Sequence, residues 1–391
     1  MTENFKDEQP RKLRVGVVFG GRSAEHEVSL RSARAVLAAL DRNKYDVTLI
    51  GITRSGRWLP LEAPEGEVDP AKLMEPFANP EATDNTTHAA LLPDPSIRGL
   101  AEIIEANPGP GLEFGQPLDV VFPVLHGPYG EDGTMQGLLE LANVPYVGPG
   151  VLASAIGMDK VTQRELCRAQ GIPVIDYVMI KRRDWLGGDE DNRAELRRYI
   201  EEKIGYPCFV KPVNMGSAVG VSKAHDVAEL EKALDQAARF DRKIMIEKAV
   251  NPRELEVAVM GNDEPIASVV GEIGHAAEFY DYKTKYMTPD NEYHIPANIP
   301  QELSDRIRQL ALKTYLTLDC AGLTRVDFFL DRDTNQLYLN EVNTIPGFTS
   351  ISMYPMLWEA SGISYPELVD RLINLALERH ADKNRNELFP M

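Results

Sequence analysis

The sequence predicts a mixed α/β protein that opens with a parallel-sheet unit. Three observations carry that prediction. The β-rich run Leu13–Phe19 ends at Gly20-Gly21, apolar residues recur at helical spacing from Ser29 to Leu40, and a second β-rich run follows at Tyr45–Ile52. Strand, glycine turn, helix and strand in that order start an α/β unit with parallel strands. Further strands and helices then alternate along a chain of 391 residues. It is 43% hydrophobic and 26% charged, a globular composition with enough apolar side chains for a core. At roughly 100–200 residues per domain, that length suits about two to four domains.

The elements follow in order. A polar tail, residues 1–12, lacks an apolar signal core, and no run of about eighteen apolar residues marks a membrane span. Residues 61–118 hold eleven acids, two bases and nine of the 27 prolines. They read as loops, with a short helix near Leu100–Ala106, inserted in the first unit. Strand character resumes at Asp119–Leu125. Met158–Ala169 reads as one helix, closed by Gly171 and Pro173. Strands are expected at Ile175–Ile180, Cys208–Lys211, Gly220–Lys223 and Lys243–Glu247, with a helix at Glu229–Ala238. Val250-Asn-Pro-Arg253 breaks the pattern as a hinge. Strands Glu254–Met260 and Ile266–Ile273 lead into a polar, Tyr-rich loop, 274–298, of a length usual in functional segments. A helix at Gln301–Leu318, strands Leu323–Leu330 and Gln336–Val342, and a helix at Glu367–Arg379 entered through Pro366 complete the chain.

Charge narrows the partners. Lys and Arg number 42 against 60 Asp and Glu, a net of −18, which disfavours nucleic-acid binding through a broad basic face. Three cysteines, Cys167, Cys208 and Cys320, are too few and too scattered for a disulfide framework or a zinc site, and read as reduced, partly buried thiols.

Several segments carry chemistry. Thr324–Leu330 and Gln336–Asn343, joined by an Asx-rich turn, form a hairpin. Alternation puts Arg325 and Asp327 on one face and Glu341 and Asn343 on one face. A turn centred near Thr334 sets Asp327 opposite Glu341 and Arg325 opposite Asn343. Two carboxylates and an amide oxygen suit Mg²⁺; an exposed hairpin face with ordinary surface charges is the alternative. The Pro346-Gly347 turn that follows presents bare backbone amides, useful for a developing oxyanion. Lys211 ends a strand before a loop with Gly216 and Gly220, which suits either a phosphate or a plain glycine turn. Lys160 sits where a helix dipole disfavours a cation, so either an anion lies near it or it is solvated. Ile244–Val250 offers an edge strand that either meets an adenine or is merely the linker's neighbour. Leu125-His-Gly-Pro-Tyr-Gly-Glu-Asp-Gly133 and Gly20-Gly-Arg-Ser-Ala-Glu-His26 lie at strand ends, where open α/β sheets bind ligands. Glu25 there would meet a cationic amine or simply favour the helix N-terminus, and a lone His126 is either functional or structural.

In series, these segments resemble the D-alanine–D-alanine ligase family of the ATP-grasp superfamily over about residues 13–380. The resemblance implies an ATP-grasp fold, α+β in its ATP-binding part, behind an N-terminal parallel-sheet α/β domain. It implies three domains: 13–157 with the insertion 61–118, 158–251 for ATP, and 252–391 with a lid loop at 274–298. ATP would contact Lys160, Lys211, Gly216 and Ser217 through its phosphates, Glu247, Lys248 and Val250 through adenine, and Glu254 through ribose. Two Mg²⁺ ions, with Mn²⁺ as a substitute, would bind Asp327, Glu341 and Asn343. Glu25 and His126 would orient the first D-alanine; Ser352 and Lys285 would take the second carboxylate. Arg325 and the Gly347 amide would stabilise the oxyanion. Tyr286 would join Ser217 and Glu25 to hold the lid shut over an acyl phosphate that water would destroy. The resemblance also implies a homodimer; the reduced thiols, the acidic charge and the lack of a long apolar run read as a cytoplasmic protein without nucleic-acid or membrane partners. Ala218 departs from the second serine of many relatives. A ligase making D-alanyl-D-lactate or D-alanyl-D-serine is the nearest rival, disfavoured by the Lys285-Tyr286 pair; a non-catalytic ATP-grasp protein would show a broken metal set, which this chain lacks.

Overall fold

The computed structural model describes residues 11–62, 88–105, 110–274 and 292–387. Lys285, Tyr286, most of the expected lid loop and residues 63–87 of the acidic stretch lie outside the described residues.

The opening unit forms as expected. Strand β1 (Leu13–Gly20), helix α1 (His26–Ala39) and β2 (Tyr45–Ile52) build it. β1 runs parallel to β2 on one side and to β7 (Val120–Pro123) on the other. Every residue of β7 is buried, as a strand covered on both faces must be. Helix α1 starts at His26, three residues before the expected start, and Glu25 takes its cap position.

The acidic stretch is a correction to the loop reading. β3 (Trp58–Glu62), β4 (His88–Leu91), β5 (Leu100–Glu105) and β6 (Pro110–Phe114) extend the first sheet antiparallel, in the order β6-β5-β4-β3-β2-β1-β7. The helix expected at Leu100–Ala106 is strand β5. Its Ala and Glu favour a helix locally, but β4 and β6 offer pairing on both sides, and tertiary context overrides weak propensity.

After α2 (Thr134–Leu141) comes α3 (Val151–Met158), which was not anticipated; the helix expected at Met158–Ala169 is α4 (Lys160–Ala169), starting two residues later. Asp159 between them is extended, and its carboxylate accepts the Thr162 N–H as an N-cap. That cap explains the break: an Asp before a new first turn satisfies one of its orphan donors. A four-stranded antiparallel sheet follows, β10-β9-β11-β8, from β8 (Tyr177–Lys181), β9 (Cys208–Pro212), β10 (Ser222–Ala224) and β11 (Lys243–Lys248). Helices α5 (Arg182–Leu186), α6 (Glu190–Lys203) and α7 (Val227–Ala237) accompany it; the first two were not anticipated.

The last sheet is antiparallel, β14-β13-β12-β15-β16. Its strands are β12 (Pro252–Gly261), β13 (Ile266–Gly274), β14 (Glu292–His294), β15 (Gly322–Asp331) and β16 (Leu337–Asn343). So the end of the expected 274–298 loop carries a short strand. Helices α8 (Gln301–Thr317), α9 (Met353–Ala360) and α10 (Tyr365–Lys383) cover the sheet. One apolar core runs from β1 and α1 into α9 and α10, tying the first unit to the last. Among the described residues no helix is long and apolar enough to cross a membrane.

Candidate active site

The β15–β16 hairpin has the register read from the sequence. Arg325 pairs with Asn343 and Asp327 with Glu341. Beyond Asp327 the register slips, so that Phe328 faces Leu339 and Asn340 is left as a one-residue bulge. The face is not a solvated surface. Arg325 and Asp327 are buried, and the guanidinium binds Asp327 through two bonds of 2.7 Å. Glu256, opposite Asp327 on β12, lies 3.0 Å from Arg325. Burial works against the Arg325 charge, but Asp327 and Glu256 outweigh it and keep the guanidinium protonated. Asn343 donates to Asp327 at 2.8 Å through its amide nitrogen, which leaves the amide oxygen as its donor atom toward a cation.

This donor set fits a divalent ion. Asp327, Glu341 and Asn343 bring hard oxygens to one face, and Glu341 and Asn343 line a cavity of about 390 Å³. A carboxylate has about four acceptor positions, so the bonds from Arg325 and Asn343 do not exclude a metal at Asp327.

The same cavity gathers groups from all three sheets. Glu25, His126 and Glu131 come from the first unit, Lys160, Gly216 and Ser217 from the second, and Arg325, Gly347 and Ser352 from the last. Ser217 donates to Glu25 across the gap between units. It can do so because Ser217 and Ala218 are both left-handed, φ +49° and +54°, which curls the 214–220 loop toward α1. Lys160 reaches the same loop, donating to the Met215 carbonyl at 2.9 Å and lying 3.7 Å from Glu341. Its unfavourable place at the start of α4 is thus balanced by a carbonyl and a carboxylate, the anion the sequence left open.

Lys211 and Glu247 do not line that cavity. They form an ion pair with each other on β9 and β11, and Glu247 also meets Arg164 at 2.7 Å. Burial pushes Glu247 up, but Lys211 and Arg164 outweigh it and hold the carboxyl below its usual range. Lys211 is lowered, first by burial. Lys248 hands its backbone N–H to Asp176, and Glu254 lies on β12 between β13 and β15. His126 is buried, with Nε2 3.0 Å from Ser32 Oγ and Nδ1 3.0 Å from the Ile345 carbonyl, so its ring braces the first unit against the last.

Sequence reasoning missed four groups here. Glu131 lay in plain view in the His-Gly-Pro-Tyr-Gly-Glu-Asp-Gly segment; its carboxylate accepts from Gly127 N at 2.6 Å and Ile345 N at 3.1 Å. Burial, with Glu25 nearby, pushes it up to about 8. Glu256 would have followed from the pairing of β12 with β15. Arg31, which lines the cavity, and Arg164, one turn after Lys160, had no signal beyond their charge within an apolar-periodic helix.

The comparisons with known proteins point to one family. A model of the D-ala D-ala ligase N-terminus matches residues 14–149, and one of the D-ala D-ala ligase C-terminus matches residues 166–374. The chain is 50% identical to a D-alanine–D-alanine ligase of Acetivibrio thermocellus over 371 residues, 95% of this chain and 97% of that one. It is 47% identical to the Bacillus cytotoxicus enzyme of the same name, over 96% and 98% of the two chains. Among solved structures, a D-alanine–D-alanine ligase from Coxiella burnetii superposes with a TM-score of 0.77 at 34% identity, covering 96% of each chain. A D-Ala:D-Ser ligase from Enterococcus faecalis gives 0.79 at 37%, covering 94% of this chain and all of its own. With both family models matched in order and half its residues shared with a full-length relative, this protein belongs to the D-alanine–D-alanine ligase family.

Proposed function

We propose that the chain joins two D-alanines into D-alanyl-D-alanine, converting ATP to ADP and phosphate, to supply a peptidoglycan precursor. The observation that carries the proposal is the shared cavity: an acid for an amine (Glu25), a buried guanidinium with a bare amide (Arg325, Gly347) and a hydroxyl (Ser352) converge from different units. Forming an amide from a carboxylate is uphill in water. The first D-alanine carboxylate would therefore attack the γ-phosphate and release ADP. The second amine would attack the acyl phosphate, and phosphate would leave.

In this reading Glu25 holds the first ammonium, with His126 bracing the loop beside it. Arg325 and the Gly347 N–H oppose the charge on the tetrahedral oxygen, where fixed donors in a desolvated site are worth most. Ser352 and Lys285 take the second carboxylate. Lys160, Lys211, Gly216 and Ser217 face the phosphates; Glu247, Lys248 and Val250 bound the adenine, and Glu254 the ribose. Asp327, Glu341 and Asn343 would hold two Mg²⁺ ions, or Mn²⁺, whose charge neutralises the transferring phosphoryl group. Tyr286 would close on Ser217 and Glu25. We assign the work to three domains, 13–157, 158–251 and 252–391, and place the enzyme in the cytoplasm as a homodimer without nucleic-acid or membrane partners.

Product analysis by mass spectrometry tests the proposal. The protein is incubated with ATP, Mg²⁺ and D-alanine, with D-lactate or D-serine as competitor. D-Alanyl-D-alanine should dominate at neutral pH. A main product that is the D-lactate ester or the D-serine dipeptide would overturn the assignment, as would ATP turnover without ligation.

A further inference from the structure

Between the end of β16 at Asn343 and the start of α9 at Met353, the active-site wall is a turn without sheet or helix of its own. Gly347 lies in that turn. The first unit grips it at three points: Glu131 accepts from Ile345 N at 3.1 Å, His126 Nδ1 lies 3.0 Å from Ile345 O, and Ser32 Oγ accepts from Phe348 N at 3.2 Å. Ser32 and His126 also meet each other, Oγ to Nε2, at 3.0 Å.

The proton directions follow from what each group can do. A carbonyl only accepts, so His126 carries a proton on Nδ1; when the ring is neutral, Nε2 is then an acceptor. A backbone N–H only donates, so Ser32 accepts from Phe348 and turns its own hydrogen to Nε2. The bonds then run one way: Phe348 N–H to Ser32, Ser32 to His126, His126 to Ile345 C=O. This loop closes around Pro346 and Gly347. Ser32 is 0% exposed and His126 4%, so bulk water does not compete for any of these bonds. Chains of hydrogen bonds in such settings reinforce one another.

We infer that Ser32 is a positioning residue: through His126 and Phe348 it fixes the tilt of the 345–348 turn and so the aim of the Gly347 amide. The inference rests on the ligase reading, in which that amide faces the oxyanion. Glu25, proposed to hold the first ammonium, caps the same helix that carries Ser32. Seven residues of helix are about 10 Å of rigid rod. One helix thus sets both the amine anchor and, through Ser32, the oxyanion donor of the same substrate, although that donor belongs to another unit.

The test uses the full-length protein with Ser32→Ala and Ser32→Thr. The alanine variant should lose roughly 10–100-fold in kcat, the scale of removing a group that orients a functional neighbour, with KM for ATP within about twofold. Its affinity for a phosphinate mimic of the tetrahedral intermediate should fall by a similar factor, while ADP affinity holds. Ser32→Thr, which keeps the hydroxyl, should recover most of the rate. A folded Ser32→Ala protein with parental kcat and phosphinate affinity overturns the inference, as does an equal loss of ADP affinity. Should that variant not fold, Ser32→Cys, similar in size but a weak donor, takes its place with the same criteria. The unmutated protein is scored first for dipeptide formation. An inactive parent overturns both readings, whereas an active parent matched by its variant overturns only this one.

Discussion

Replacing Arg164 by Met is the sharpest test of how the proposed nucleotide side of the cleft is held. Arg164 is 0% exposed on α4, with Nη1 2.7 Å from Glu247 and Nη2 3.3 Å from the carbonyl of Asn340, the bulged residue of β16. It therefore pins the central sheet to the β15–β16 hairpin. Removing one partner of a buried ion pair costs about 3–5 kcal/mol. Here Lys211 stays on Glu247, which argues for the lower end, about 3 kcal/mol. The lost bond to Asn340 adds about 1 kcal/mol. Methionine nearly fills the space, so no large cavity term is expected. Urea unfolding, read by fluorescence in variants that keep Trp185, buried in the same sheet's core, as the sole tryptophan (Trp58→Phe and Trp358→Phe), measures the total. Glu247→Gln and the double variant complete a cycle in which the coupling should exceed about 1 kcal/mol. KM for ATP should rise as well, because Lys211 loses the neighbour that orders its partner. A loss below about 1 kcal/mol, with additive single effects, would refute the view that this pair holds the cleft.

Three other outcomes follow from the same geometry. Arg325→Ala and Glu341→Gln should each lower turnover at least ~100-fold in a coupled ADP assay, the scale of losing electrostatic transition-state stabilisation; near-parental rates in folded variants would contradict the site. Burial pushes the thiols of Cys167 and Cys320 up to about 12 and that of Cys208 to about 11. Because the thiolate is the nucleophile, labelling at pH 8 should be at least ~100-fold slower in the native protein than in guanidinium and should speed up as pH rises; one fast native thiol would show a cysteine more open than described. Ala218→Ser should leave KM for ATP within about threefold if the loop meets phosphate through its backbone, since its left-handed φ aims the peptide rather than the side chain. A tenfold tighter KM would assign the contact to a hydroxyl.

Legibility from sequence varied with how local the cause was. The β15–β16 register was readable because a hairpin is closed by a short turn and alternation carries the pairing back to Arg325 and Asn343. Even so the Asn340 bulge was invisible; its carbonyl meets Arg164, 176 residues away in sequence. β5 was misread because its local composition favours helix and its stabilising partners, β4 and β6, lie across loops. The helix start at Lys160 was readable because Asp before a helical run is an N-cap signal, whereas α3 just before it was not anticipated. The chemistry-bearing segments stood out individually only as alternatives. What distinguished Lys160 from a solvated lysine, or Glu25 from a helix-favouring acid, was a partner 55 or 192 residues away in sequence. No spacing rule reaches that far.

The net charge of −18 excludes a broad basic surface but says little about the cleft. The described lining holds Glu25, Glu131, Glu256 and Glu341 against Arg31, Lys160 and Arg325. Glu131 is raised first by burial and then by the nearby charge of Glu25. Such a cavity favours cations, and the proposed reaction brings them: an ammonium on the first D-alanine and divalent ions with ATP. In the proposed reading, the polyanionic nucleotide would enter where Lys160 and the 214–220 backbone face it. In that reading the acids would serve the amine and the metal, Lys160 the phosphates and Arg325 the oxyanion. The division depends on three units meeting there. Glu25 comes from the first, Lys160 and Ser217 from the second, and Arg325 and Glu341 from the third, so no single unit carries a complete site.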